Sequence, residues 1–171
     1  MNKKVNIFKL VIAVIIPLAV GMLSSFITKD AMMSFNAMRK PPLAPPGILF
    51  PIVWSILYVL MGISSYIIFE YDDRNDATRY KIKNRCLLLY VVQLIFNFFW
   101  SIIFFKFKLY FAAFVWLIIL WILVFILIVE GRKISRRVPY LLIPYLIWMT
   151  FAAYLNIWVA ILNLYLNLHW A

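Results

Sequence analysis

The sequence predicts an all-α fold, a polytopic membrane protein in which five transmembrane helices form a single domain over residues 1–171. Three observations carry this. Hydrophobic residues make up 67% of the chain and charged residues only 13%, leaving more apolar surface than a water-soluble domain of 171 residues can hide. The apolar residues fall in five blocks, each near the roughly 20 residues that cross a hydrocarbon core. The charges collect between those blocks or at their ends.

The first block, residues 5–27, follows Lys3 and Lys4 and contains Lys9 near its start. A basic end before an apolar run looks like a signal peptide, but this run is too long and no small-residue cleavage site follows, so it reads as a membrane helix. Pro17 and Gly21 inside it are tolerated in a membrane span. A loop of about twenty residues comes next, ending Met38-Arg39-Lys40-Pro41-Pro42-Leu43-Ala44-Pro45-Pro46-Gly47. Proline this dense forbids a regular helix, so the segment is either an inert connector or a stiff lid over one mouth of the bundle. Pro45 and Pro46 stand where helix two starts, at positions whose missing N–H costs nothing. Helix two is expected over residues 48–69, helix three over 87–105, helix four over 109–129 and helix five over 139–162.

A formal net charge of +11 raises the question of nucleic acid, and the placement of the charges answers against it. Three basic residues lie at the amino-terminal end, five between helices two and three, and four between helices four and five. The other set of loops holds only Lys29, Arg39, Lys40, Lys106 and Lys108. By the positive-inside rule the amino terminus is cytoplasmic and the carboxyl terminus outside, with a bacterial plasma membrane as the expected location. Cys86 is alone, which excludes an intramolecular disulfide or CxxC pair. His169, the one histidine, stands beside Trp170 at the carboxyl end, so a His/Cys metal site has no material. All six acidic residues fall in loops or at helix ends. Ion-coupled transporters and proton pumps place ionisable groups at membrane depth, and no such group is found here. No Ser/His/Asp set, nucleotide loop or metal signature is present either.

The spans instead carry aromatic and neutral-polar residues at helical spacing. Trp54, Tyr58, Met61 and Ser65 share one face of helix two, with Gly62 beside them. Gln93, Asn97, Trp100 and Phe104 form a stripe on helix three, whose two amides lipid cannot satisfy, so this face must look inward. Pro144, Trp148, Ala152 and Asn156 follow at successive i+4 steps on helix five, flanked by Tyr145 and Leu155, an alternation of broad and small residues that can make a recess. Such stripes also serve as helix-packing glue. Trp158, Tyr165 and Trp170 fit an interfacial aromatic belt.

Three segments together resemble the translocator protein family, also called TspO/MBR, tryptophan-rich sensory proteins or peripheral-type benzodiazepine receptors. Lys40-Pro41, Pro45-Pro46, Pro51, Trp54, Leu57-Tyr58 and Met61-Gly62 are similar to its first signature. Gln93-Leu94, Asn97, Trp100-Ser101 and Phe104-Phe105 are similar to its helix-three signature. Leu142, Pro144-Tyr145-Leu146, Trp148, Phe151-Ala152, Leu155-Asn156 and Leu162-Asn163 are similar to its helix-five signature.

The resemblance implies a five-helix bundle, usually a homodimer, that binds protoporphyrin IX-like porphyrins and related hydrophobic ligands in a pocket beneath the first loop. Trp54, Tyr58, Asn97, Trp100, Trp148, Ala152 and Pro45 would bind the ligand, and Arg39 and Lys40 would meet its propionates. It also implies that some members degrade the porphyrin slowly under light, with Trp54 and Trp148 in the photochemical positions. Protoporphyrin IX enters as ligand; no cofactor or metal is expected, and the other partners are membrane lipid and a second copy of the chain. A transporter of porphyrins or other hydrophobic molecules, or a non-catalytic interaction subunit, are the alternatives. Three departures stand out: Leu43 replaces the tryptophan of the family's loop run, Gly47-Ile48 replaces a further aromatic, and no basic residue follows Tyr154 to complete a sterol-contact pattern.

Overall fold

The computed structural model describes residues 5–36, 43–72 and 76–169, with side chains described outside residues 32–36 and 163–169. Lys3, Lys4, Met38, Arg39, Lys40, Pro41, Pro42, Asp73, Arg74 and Trp170, and the side chains of Asn163, Tyr165 and His169, lie outside that description. Among the described residues there are five α-helices and no strand: α1 (Ile7–Asn36), α2 (Leu49–Phe69), α3 (Ala77–Ser101), α4 (Tyr110–Gly131) and α5 (Arg137–His169). Each is long and apolar enough to cross a membrane.

The helices outrun the apolar blocks because hydropathy marks the hydrocarbon, not the end of the hydrogen-bond ladder. Helix α3 begins ten residues before the apolar run at Leu87, where the Asp76 carboxylate accepts from the N–H groups of Thr78 (2.9 Å) and Arg79 (3.1 Å). Its first turns are basic and extend beyond the span. Helix α1 likewise continues past Ile27 through Lys29 and Asp30. At its far end α3 widens into a π-helical turn, Ile102–Lys106, before a connection so short that Lys108 adopts the left-handed region at φ 55°.

Neighbouring helices run antiparallel, which brings the amino terminus, the α2–α3 connection and the α4–α5 connection to one end. Ion pairs mark that end: Lys9 Nζ to Glu70 at 2.8 Å, Lys133 to Glu130 at 2.9 Å and Arg85 to Glu130 at 3.5 Å. Helix α1 packs closely on α2, α4 packs on both α3 and α5, and α2 also meets α5. Glycines set two of the closest approaches. A Cβ on Gly62 would stand 2.5 Å from the Val14 Cα, and one on Gly21 would overlap the Tyr58 ring.

The core follows the inward stripes of α2 and α3. Tyr58, Met61 and Ser65 are buried, as are Gln93, Asn97, Trp100 and Phe104. On α5 the buried track is Val138, Leu142, Tyr145, Met149, Ala152, Asn156 and Val159, which corrects the face drawn through Pro144 and Trp148. A step of four residues turns a helix by about 40° more than one revolution. A track of four-residue steps therefore drifts off the core face. Ala152 and Asn156 lie on it, whereas Trp148 is half-buried and Pro144 exposed.

Candidate ligand-binding site

A cavity of about 300 Å³ lies among α1, α2 and the end of α3. Trp54, Tyr58 and Phe50 of α2, with Trp100 and Phe105, form its aromatic side. Leu18, Gly21, Ser24 and Thr28 of α1 form the opposite side. The missing side chain of Gly21 is what allows the Tyr58 ring to lie against α1. Trp54 is held by Tyr58 and Tyr145, with ring centroids 5.5 and 5.9 Å away.

The polar edges of Tyr58 and Trp100 are satisfied behind the cavity. Tyr58 donates its hydroxyl proton to Asn97 Oδ1 (2.8 Å), and Asn97 Nδ2 donates to the Tyr145 hydroxyl (2.9 Å). Trp100 Nε1 donates to Asn156 Oδ1 (3.3 Å), and Asn156 Nδ2 donates to the Tyr110 carbonyl (2.7 Å). Four helices, α2 to α5, are thereby tied together, and the ring faces are left as the contact surface. Buried hydrogen bonds of this kind fix rotamers that apolar packing alone leaves free.

Of the seven residues singled out in the sequence, Trp54, Tyr58 and Trp100 line this cavity. Asn97 stands behind it as the clamp of Tyr58 and Tyr145 rather than in its wall. Trp148 lies on the far side of Phe50, at 5.8 Å between ring centroids, and also contacts Phe151 at 5.6 Å. Its indole Nε1 is buried without a hydrogen-bond partner among the described residues. Ala152 is buried on α5 outside the cavity wall, and Pro45 is half-buried in the segment leading to α2. Trp158 continues the α5 aromatics, 6.5 Å from the Tyr154 ring.

The contribution of α1 escaped sequence reasoning. Gly21, Ser24 and Thr28 occur at i, i+3 and i+7, one face of a helix, and that small and polar stripe was the available signal. A second, larger groove of about 710 Å³ runs between α1 and α3, with Ile16, Val20, Val91 and Leu94 in its walls. It faces outward and is almost wholly apolar, as lipid-facing surface is.

The architecture and the clamped aromatics define a class of protein: a five-helix integral membrane protein with an aromatic-lined cavity inside the bundle. The TspO/MBR family model matches residues 13–170, and the chain belongs to that family. The tryptophan-rich protein TspO of Chlorobaculum tepidum is 33% identical over 95% of this chain and 99% of its own length. The protein of the same name from Archaeoglobus fulgidus is 38% identical over 92% of this chain and 99% of its own length. Similarity extends to the translocator protein of Ovis aries, 30% identical over 78% of this chain and 76% of its own.

Proposed function

We propose that the protein is a membrane receptor or sensor for porphyrins of the protoporphyrin IX type and for related flat, hydrophobic ligands. The observation that carries the reading is the cavity faced by Trp54, Tyr58 and Trp100, with the polar edges of Tyr58 and Trp100 bonded internally and the ring faces turned to the space a ligand would fill. A flat apolar macrocycle gains from such walls, about 0.5–1.5 kcal/mol for each good ring pair beyond burial. At about 300 Å³ the cavity is at the lower end of small-molecule sites, which run to about 1,000 Å³. It therefore takes one edge of a macrocycle, and Arg39 and Lys40, which lie outside the described residues, are the cations proposed for its propionates. The name of a relative in Cereibacter sphaeroides, tryptophan-rich sensory protein, fits a sensing role.

Turnover under light is a further part of the proposal. The bound chromophore supplies the excited state and accepts one electron from Trp54 or Trp148, giving a porphyrin radical anion and a tryptophan radical cation, and dissolved dioxygen is the oxidant that the subsequent loss of the macrocycle consumes. Homodimer formation, a plasma-membrane location and a cytoplasmic amino terminus complete it. Release or transport of the ligand is the second reading, favoured by the name translocator protein borne by the sheep relative.

The test is a protoporphyrin IX titration of the detergent-purified protein, following tryptophan fluorescence in the dark and porphyrin absorbance under light. Wild type is expected to show saturable quenching, and Trp54→Phe to bind about threefold to tenfold more weakly. Bleaching of the porphyrin bands that is lost in Trp148→Phe would support photochemistry. Quenching that never saturates in wild type would remove the tetrapyrrole reading.

A further inference from the structure

We propose that Ser24 is a specificity-determining residue of the cavity, donating a hydrogen bond to a neutral acceptor, a carbonyl or ester oxygen, on an aromatic ligand held against Trp54 and Trp100. The inference deepens the proposed function and rests on the reading of the cavity as a ligand site, though not on the ligand's being a porphyrin.

Six hydroxyl-bearing residues line the cavity, and of these Ser24 is the one whose oxygen is buried without a partner among the described residues, Ser25 being exposed and Ser101 half-buried. Thr28 Oγ1 donates to the Ser24 carbonyl at 2.9 Å, and Ser55 Oγ donates to the Pro51 carbonyl at 2.7 Å. The Tyr58 hydroxyl donates to Asn97, and Trp100 Nε1 donates to Asn156. These four groups have committed their protons inside the protein. Ser24 differs: it is 4% exposed, it lines the cavity, and its Oγ has no partner among the described residues. A buried hydroxyl left unbonded is costly, and a ligand acceptor in the cavity relieves that cost. A ligand lacking such an acceptor leaves it in place.

Charge then narrows the acceptor. The residues lining the cavity include no Lys, Arg, His, Asp or Glu. An ionised carboxylate beside Ser24 would be buried without a counter-charge, so the group recognised there is neutral. Helix α1 thus reads the edge of the ligand while the tryptophans of α2 and α3 read its face.

The experiment uses two probes of nearly the same shape, benzophenone and diphenylmethane, which differ in a carbonyl against a methylene. Their affinities for the full-length protein are measured by equilibrium dialysis across matched detergent micelles. Wild type is expected to hold the ketone about fivefold more tightly. Ser24→Ala should weaken the ketone alone and bring the two probes to parity, and Ser24→Thr, which keeps the hydroxyl, should restore the preference. Equal affinities in wild type, a preference that survives in Ser24→Ala, equal weakening of both probes, or no saturable binding of either would each overturn the proposal. Protoporphyrin IX titrated into the same samples separates the two readings. Ketone preference without saturable porphyrin binding removes the tetrapyrrole reading and leaves the role of Ser24 standing. Saturable porphyrin binding without ketone preference does the reverse.

Discussion

Asn97 and Gln93 stand one turn apart on the same face of α3 and are equally buried, yet their amides are in opposite circumstances. Asn97 uses both ends, accepting from Tyr58 and donating to Tyr145. Gln93 is 0% exposed, and neither its Oε1 nor its Nε2 has a partner among the described residues. Losing a partner strands two tyrosine hydroxyls in the first case, whereas replacing an unsatisfied amide by an alkyl group removes a penalty in the second. Asn97→Leu is therefore expected to lower stability by about 1–3 kcal/mol. Gln93→Leu should leave it unchanged or raise it by about 1 kcal/mol. Thermal unfolding of both variants in one detergent reads the difference. Equal destabilisation would mean that Gln93 is satisfied after all. The sequence marked both amides as inward-facing, because lipid cannot satisfy either, but the partners that distinguish Asn97 come from α2 and α5 and have no local signature. Trp148 shows a related limit. Its four-residue spacing to Ala152 and Asn156 is helical, but the track drifts around α5, and the indole ends behind Phe50 rather than in the cavity wall.

At the scale of the element, α1 gave the least in sequence and contributes half of the cavity. Its apolar residues run all round the helix, so composition marks a span without marking a face; Phe8, Met22 and Phe26 are widely exposed, while Leu18 and Val20 pack against the core. What places α1 is two small residues at close approaches, Gly21 in its own face and Gly62 in that of α2. Gly62 lies against the backbone of Val14 and the carbonyl of Ala13, which cannot move aside as a side chain can. Gly62→Val is expected to push α1 away from α2 and to cost about 1–3 kcal/mol, the range for overpacking a well-filled contact. Because the cavity lies between the same helices, ligand affinity should fall with stability. Gly62→Ala should lie between wild type and valine in both measurements, and a valine variant with unchanged melting and binding would show that the two helices are not held at this distance. The five spans were legible because each carries a continuous apolar run. Their true ends were not, because Asp76 and the basic turns after it extend α3 by hydrogen bonding alone, which hydropathy does not register.

At the scale of the whole molecule, the bundle gathers three basic segments at one end. Helix parity requires this: the amino terminus, the α2–α3 connection and the α4–α5 connection must share a face of the membrane in a five-span chain. The ion pairs Lys9–Glu70 and Arg85–Glu130 join those segments across sequence distance. The excess of Lys and Arg on this end predicts that it is retained in the cytoplasm, and single cysteines test the assignment in a Cys86→Ala background. Cys86 is buried, so alanine removes the competing thiol without burying a hydroxyl that would need a partner. A cysteine at Ala44, before α2, is expected to react with a membrane-impermeant maleimide on intact cells, and one at Ser135, between α4 and α5, only after the membrane is opened. The reverse pattern would place the basic end outside and carry the cavity, whose lining includes Thr28, Phe50 and Phe105 at the other end of the bundle, to the cytoplasmic side. The distinction bears on function: with the expected orientation the cavity lies in the outer half of the bundle, so a ligand made inside the cell must reach it through the bilayer or across it, whereas the opposite orientation would bring the same aromatic walls near the cell's own pool.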